Sequence, residues 1–281
     1  MRAIDVSLLT TRISEMIQQS CMNLPTDVYC ALQKAERSET SPSGRMILAS
    51  LVENSEIAAR DRIPLCQDTG MAFVFLDIGQ DIHFINGDLE VAINEGVAKG
   101  YTEGYLRKSV VSDPLFDRVN TKNNTPAIIY PRIVPGEGVR IKIATKGFGG
   151  ENKSAVKMLV PADGVDGIKS FVLDTVKASG SDSCPPLLVG VGIGGSFESV
   201  CLHAKRAAIR SVDSHNPDPR YAALENELLK LVNKIGVGPQ GLGGKTTALK
   251  VNIEWFPTHI GALPVAVNLN CHSIRHVETV L

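Results

Sequence analysis

Hydrophobic periodicity constrains this chain more than any other feature, because it switches repeatedly between a helical repeat and short apolar runs. Val6, Leu9, Ile13, Met16, Ile17 and Cys21 recur at three and four residues, the spacing of one buried helix face. Asp27 to Arg37 and Arg45 to Arg60 read the same way, so the first hundred residues are expected to be mainly helical. After a turn at Gln67-Asp68-Thr69-Gly70, Met71 to Ile78 reads as a strand and Leu89 to Tyr105 as a helix. Ala127 to Val134 and Val139 to Ala144, joined by Pro135-Gly136-Glu137-Gly138, read as a β-hairpin. A helix over Val165 to Lys177, a strand over Pro186 to Val191, helices over Phe197 to Ile209 and Pro219 to Ile235, and strands near Ala248 to Trp255 and Pro264 to Leu269 follow. The class expected is α/β, or mixed α+β: a helical N-terminal region followed by interleaved strands and helices. Residues 1–281 read as one domain, since no repeat, low-complexity linker or composition shift marks a boundary between lobes.

Charge and hydropathy exclude several partners. Lys and Arg number 29 against 30 Asp and Glu, a net charge of −1, so no global positive field recruits nucleic acid. The apolar stretches Ala262 to Val267 and Pro185 to Val191 fall far short of the roughly 20 residues a membrane helix needs. Met1 to Thr10 lacks the pattern of a secretory signal, and a cytoplasmic location is expected. In a reducing compartment the six cysteines, at 21, 30, 66, 184, 201 and 271, are poorly explained by a disulfide framework. Cys21, Cys30 and Cys201 fall on helical patterns and are expected to pack as small core residues.

Some motifs mislead. Gly190-Val191-Gly192-Ile193-Gly194-Gly195 satisfies the G-x-G-x-x-G pattern between a strand and a helix, which raises a different class, a nucleotide-binding dehydrogenase or regulatory protein. Yet about 20 residues on it offers only Asp213, in a loop, where that motif needs a carboxylate at a strand end. Gly238 to Thr246 approaches a P-loop, but Pro239 stands where the first glycine belongs. Asp213-Ser214-His215 and Cys271-His272 invite hydrolase or zinc readings, and neither C-x-x-C nor H-E-x-x-H spacing occurs to support a local zinc site.

Cys66, Cys184 and Cys271 differ from the other cysteines in setting. Each stands at an element end in polar, turn-forming sequence, where functional side chains tend to be presented. Their wide separation excludes a local ferredoxin-type run and would require the fold to assemble them. Around them lie Pro64-Leu65-Cys66-Gln67-Asp68-Thr69-Gly70, Gly147-Phe148-Gly149-Gly150-Glu151-Asn152-Lys153-Ser154, Cys184-Pro185-Pro186 leading into Gly190 to Gly195, Gly238-Pro239-Gln240-Gly241-Leu242-Gly243-Gly244, and His259 through Cys271-His272. In this order, and from about Cys21 onward, they resemble the class I fumarases and related tartrate dehydratases, the iron-sulfur hydro-lyases.

The resemblance implies a 4Fe-4S cluster held by Cys66, Cys184 and Cys271, with one iron left open as a Lewis acid. It implies that Gln67 and Asp68 bind substrate, that Asp68 handles the proton of the departing or entering water, and that His259 is its polar partner. Arg107 would hold a dicarboxylate through its guanidinium fork, and Gly149 and Gly150 would let backbone amides approach a carboxylate. Single-chain fumarases continue into a second domain, whereas this sequence ends at Leu281. The expectation is therefore an α subunit, inactive until a β subunit closes the site, in a heterotetramer. Fumarate hydration to (S)-malate is the favoured reaction on the Gly149 to Ser154 pattern, with L-tartrate dehydration as the alternative.

Overall fold

The computed structural model describes residues 1–281 and has the mixed α/β character expected. In chain order its elements are β1 (Arg2–Asp5), α1 (Val6–Met22), α2 (Thr26–Ser38), α3 (Pro42–Asp61), β2 (Met71–Gly79), β3 (Ile82–Ile85), α4 (Leu89–Glu103), β4 (Ile128–Val134), β5 (Val139–Lys146) and α5 (Phe148–Glu151). They continue as β6 (Ala155–Leu159), α6 (Gly164–Ser179), β7 (Leu187–Gly194), α7 (Phe197–Ala207), α8 (Pro219–Asn233), β8 (Ala248–Phe256), β9 (Leu263–Asn270) and β10 (His276–Val280). No helix is long and apolar enough to cross a membrane.

The chain forms two compact units. The first comprises Met1–Pro25, Ser55–Gly147 and Arg275–Leu281, and the second Thr26–Asn54 and Phe148–Ile274. The chain passes between them at Pro25–Thr26, within α3, at Gly147–Phe148 and at Ile274–Arg275.

In the first unit, α1 buries the expected stripe of Val6, Leu9, Ile13, Met16, Ile17 and Cys21, capped at its start by the Asp5 carboxylate accepting from Ser7 N–H at 2.8 Å. This face packs with Ile93, Val97 and Tyr101 of α4 and with the inward residues of β2 and β5. The four-stranded sheet has the order β10-β5-β2-β4.

The expected hairpin is not formed. Both its strands exist, but β2 lies between them, parallel to β4 and antiparallel to β5. The reason lies in composition. β2 is apolar and almost wholly buried along its length, so it takes a central place, whereas β4 carries Pro131 and exposed residues and belongs at an edge. The Pro135 to Gly138 turn therefore bridges the end of β2, and Gly79 N–H donates to Gly138 O at 2.8 Å.

The second unit holds a sheet of order β6-β9-β7-β8, with β7 parallel to β8 and antiparallel to β9. Its core joins Val189, Val191 and Ile193 to Val251, Ile253, Val265 and Val267, and to Val172 and Leu228 from α6 and α8. Gly190 and Gly192 lie inside β7, not in a ligand loop. A Cβ at Gly190 would stand 2.2 Å from Ala204 O, and one at Gly192 would stand 2.2 Å from Val200 O. The glycine repeat is thus the groove in which α7 lies against the strand.

The P-loop-like segment is likewise occupied from within the same unit. The buried Glu39 carboxylate accepts from Lys245 N–H at 2.9 and 3.0 Å and from Thr246 N–H at 3.0 Å. Of the thiols expected in the core, Cys21 is buried, but Cys30 and Cys201 are exposed. On α2 the buried stripe is Val28, Leu32 and Ala35, and Cys30 points away from it; on α7 it is Val200, Ala204, Lys205 and Ala207, which Cys201 misses.

Candidate active site

Cys66, Gln67, Asp68 and Arg107 belong to the first unit, and Gly149, Gly150, Cys184, His259 and Cys271 to the second.

In the first unit, the loop between α3 and β2 presents a half-buried Cys66, an exposed Gln67 and a half-buried Asp68, and then dives into the core at Thr69. Asp68 N–H donates to Cys66 Sγ at 3.4 Å, and the Asp68 carboxylate accepts from Gly70 N–H at 2.9 Å. A thiol, an amide side chain and a carboxylate are thereby presented by three consecutive residues. The loop is braced from below. Tyr101 Oη lies 2.8 Å from Thr69 O and 2.9 Å from Gly70 O, and Asn124 Nδ2 donates to Gly70 O at 3.0 Å.

Arg107 is exposed, but its backbone is fixed to the same loop, since Thr69 Oγ1 donates to Arg107 O at 2.7 Å. Asn124 Oδ1 accepts from Ser109 N–H at 2.6 Å and Val110 N–H at 3.2 Å, so one buried side chain ties both segments together. Burial drives the Tyr101 hydroxyl pKa well up, and it stays a neutral donor. Burial also pushes the Cys21 thiol up, so this core cysteine stays protonated.

In the second unit, Gly150 packs on the end of β9, where a Cβ would stand 2.4 Å from Leu269 O. Ser154 Oγ donates to Gly150 O at 2.9 Å and accepts from Leu269 N–H at 3.0 Å. Behind the turn, Glu151 pairs with the buried Lys205 and accepts from Asn268 Nδ2 at 3.0 Å. Cys271 follows this strand end directly. Cys184 adopts a left-handed backbone, φ 51°, ahead of a cis Pro185–Pro186 bond, and its carbonyl accepts from His272 N–H at 3.2 Å. Gln240 Nε2 donates to Pro185 O at 2.8 Å and lies 3.1 Å from His272 Nδ1. Gly149, Gly150, Cys184 and Cys271 therefore share one corner of this unit.

His259 stands on the exposed loop between β8 and β9, its Nδ1 accepting from Gly261 N–H at 3.1 Å. No three His, Cys, Asp or Glu side chains are drawn together as a metal site. Sequence reasoning missed Tyr101, Asn124, Gln240 and Arg275. Of these only Gln240 lay in a motif already singled out, and the others act over distances in sequence that local patterns do not register.

A family profile described as fumarate hydratase (fumerase) matches residues 10–280. A Methanocaldococcus jannaschii protein assigned as L(+)-tartrate dehydratase subunit alpha is 40% identical over 271 residues, 94% of this chain and 94% of its own length. The L(+)-tartrate dehydratase subunit alpha of Escherichia coli strain K12 is 31% identical over 274 residues, 96% of this chain and 89% of its own length, and that of Shigella sonnei matches equally. The chain belongs to the fumarate hydratase family of hydro-lyases.

Proposed function

We propose that the chain is the α subunit of an iron-sulfur hydro-lyase that interconverts fumarate and (S)-malate, its site completed by a β subunit. The observation that carries this reading is the Cys66-Gln67-Asp68 loop, which presents a thiol, an amide and a carboxylate side by side and is anchored to the backbone of Arg107. The relatives named as alpha subunits support the need for a partner, and a heterotetramer in the cytoplasm is the assembly we infer.

The donors suit a 4Fe-4S cluster: Cys66, Cys184 and Cys271 are soft thiol ligands, each half-buried in a turn, and an amide N–H already faces Cys66 Sγ. When bound, such a cluster supplies an open iron as Lewis acid for the substrate hydroxyl. The remaining chemistry falls to side chains. Arg107 holds one substrate carboxylate by its fork, and the Gly149–Gly150 turn offers backbone amides without a Cβ in the way. Gln67 donates to the substrate, and Asp68 takes or returns the proton of the water that enters or leaves. His259, from the resemblance, is a polar partner at the site. The proton on carbon is removed by a residue of the β subunit.

A second reading, dehydration of L(+)-tartrate, is favoured by the names of the relatives. Malate and tartrate differ by one hydroxyl, which discriminates strongly only where the pocket leaves a polar group unpaired. Steady-state kcat/KM for fumarate, malate and tartrate, on the α chain alone and with its β subunit, tests the proposal. Turnover of fumarate by the pair and none by the α chain is expected; a pair that turns over tartrate alone replaces the substrate, and a pair inert toward all three overturns the reading.

A further inference from the structure

Arg275 follows Cys271 by four residues, and its side chain is only 3% exposed. A buried guanidinium is costly unless it is paired and hydrogen-bonded, so its placement calls for an explanation. Arg275 Nη1 donates to the backbone carbonyl of Asp68 at 2.6 Å. Its second terminal nitrogen and the Asp68 carboxylate both border Gly147: a Cβ built there would stand 3.3 Å from Arg275 Nη2 and 2.9 Å from Asp68 Oδ2. Only glycine leaves that space to the two charged groups.

The rest of the side chain is enclosed. Arg275 Nε is buried with no hydrogen-bond partner, and the Arg275 carbonyl accepts from Thr145 N–H at 3.3 Å, which fixes the residue at the end of β5. The charge is felt locally. At both Cys21 and Tyr101 burial dominates, Arg275 pulls the pKa down, and Asp68 pushes it up, so the two opposite charges act within one buried region of the first unit. Asp68 is thus held at three points: its carbonyl by Arg275, one carboxylate oxygen by Gly70 N–H, and its amide N–H by Cys66 Sγ.

We propose that Arg275 is the positioning residue for Asp68, a buried counter-charge that fixes both the peptide and the direction of the carboxylate. The proposal rests on the hydro-lyase reading of Asp68. Arg275 itself is too deeply buried to meet substrate; it acts by setting the orientation of a group that does. A charge held this way keeps the carboxylate aimed without the flexible reach of a surface lysine.

The test uses the α chain assembled with its β subunit and loaded with cluster without oxygen. Arg275→Met, Arg275→Lys, Asp68→Asn and the double variant Asp68→Asn/Arg275→Met are compared for kcat, KM, iron content and thermal midpoint. Misplacing a reacting group by about 1 Å can cost ~100-fold, so Arg275→Met is expected to lower kcat by about that factor with KM within about threefold. Arg275→Lys should recover part of the loss, with iron content and thermal midpoint close to wild type. If Arg275 works through Asp68, the double variant is no slower than Asp68→Asn alone. A further full loss in the double variant, or wild-type kcat in Arg275→Lys and Arg275→Met, overturns the proposal. Should Arg275→Met fail to fold, Arg275→Lys decides, and wild-type kcat there is the contrary result. An Asp68→Asn enzyme with wild-type kcat would instead sink the reading of Asp68 on which the proposal rests.

Discussion

Replacing Glu39 by Gln removes a charge and little volume from the second unit. The fully enclosed carboxylate accepts from Thr40 N–H at 2.9 Å, Ser41 N–H at 3.1 Å, Lys245 N–H at 2.9 and 3.0 Å, and Thr246 N–H at 3.0 Å. A glutamine must turn its NH2 toward one set of these donors: in place of Oε2 it leaves Thr246 N–H without an acceptor, and in place of Oε1 it leaves those of Thr40 and Ser41. Each buried orphan costs about 1–3 kcal/mol, so even in its better orientation Glu39→Gln should lose about 1–3 kcal/mol. That is a large share of the ~5–15 kcal/mol by which a folded domain is stable. Burial by itself pushes the Glu39 carboxyl up, but the amides of Lys245, Ser41 and Thr40 outweigh it, and the pKa is lowered. A lowered folded pKa gives stability that is fully present above the unfolded value, about 4.3, and is lost as pH falls through the folded one. Urea unfolding of both proteins at pH 7 and at decreasing pH is the assay. The gap between wild type and Glu39→Gln should be widest at pH 7 and narrow below about pH 4.3. A Glu39→Gln protein within about 0.5 kcal/mol of wild type at pH 7 would refute the claim that this carboxylate fills the amide nest.

Other perturbations follow from the same contacts. Gly192→Ala pushes a methyl against the backbone of α7 and should cost at least the ~1–3 kcal/mol of an overpacked core, read as a lowered thermal midpoint with unchanged NAD(H) affinity, since none is expected. Saturable NAD(H) binding lost in that variant would favour the dinucleotide class. Asn124→Ala deprives Ser109 N–H, Val110 N–H and Gly70 O of their partner and should destabilise by about 2–4 kcal/mol in urea while raising KM for the dicarboxylate, because the Arg107 segment loosens. An unchanged KM would show that Arg107 needs no such tether. Gln240→Leu should speed modification of the Cys184 and Cys271 thiols in the cluster-free chain several-fold, because the Pro185 and His272 anchor is lost; an unchanged rate contradicts that anchor.

Much of the secondary structure was legible because helices and strands write their periods locally. The stripe from Val6 to Cys21 and the run from Met71 to Ile78 became α1 and β2 almost as read. Strand order was not legible: Pro131 in β4 was the signal that this strand belongs at an edge, and the short turn outweighed it in the reading of a hairpin. The strands β1, β3, β6 and β10 are only four or five residues long, too short for their period to stand out, and β10 gains its place by pairing with β5. The helical pattern and the usual burial of free thiols placed Cys30 and Cys201 in the core, but the actual phase of each helix turns them outward. At the site, the residues of the three cysteine motifs could be named, whereas their supports could not. Tyr101, Asn124 and Arg275 reach the Asp68 loop across 31 to 207 residues of sequence, and no spacing rule connects them.

Cys66, Cys184 and Cys271 are proposed to hold one iron-sulfur cluster. Iron and acid-labile sulfide per chain, with the visible spectrum, should be measured on anaerobically prepared wild type and on Cys66→Ala, Cys184→Ala, Cys271→Ala and Cys201→Ala. About four of each are expected in the wild type and in Cys201→Ala, with loss in the other three variants. A wild-type chain that takes up no iron on anaerobic reconstitution, or a Cys66→Ala chain that keeps its full complement, would contradict it.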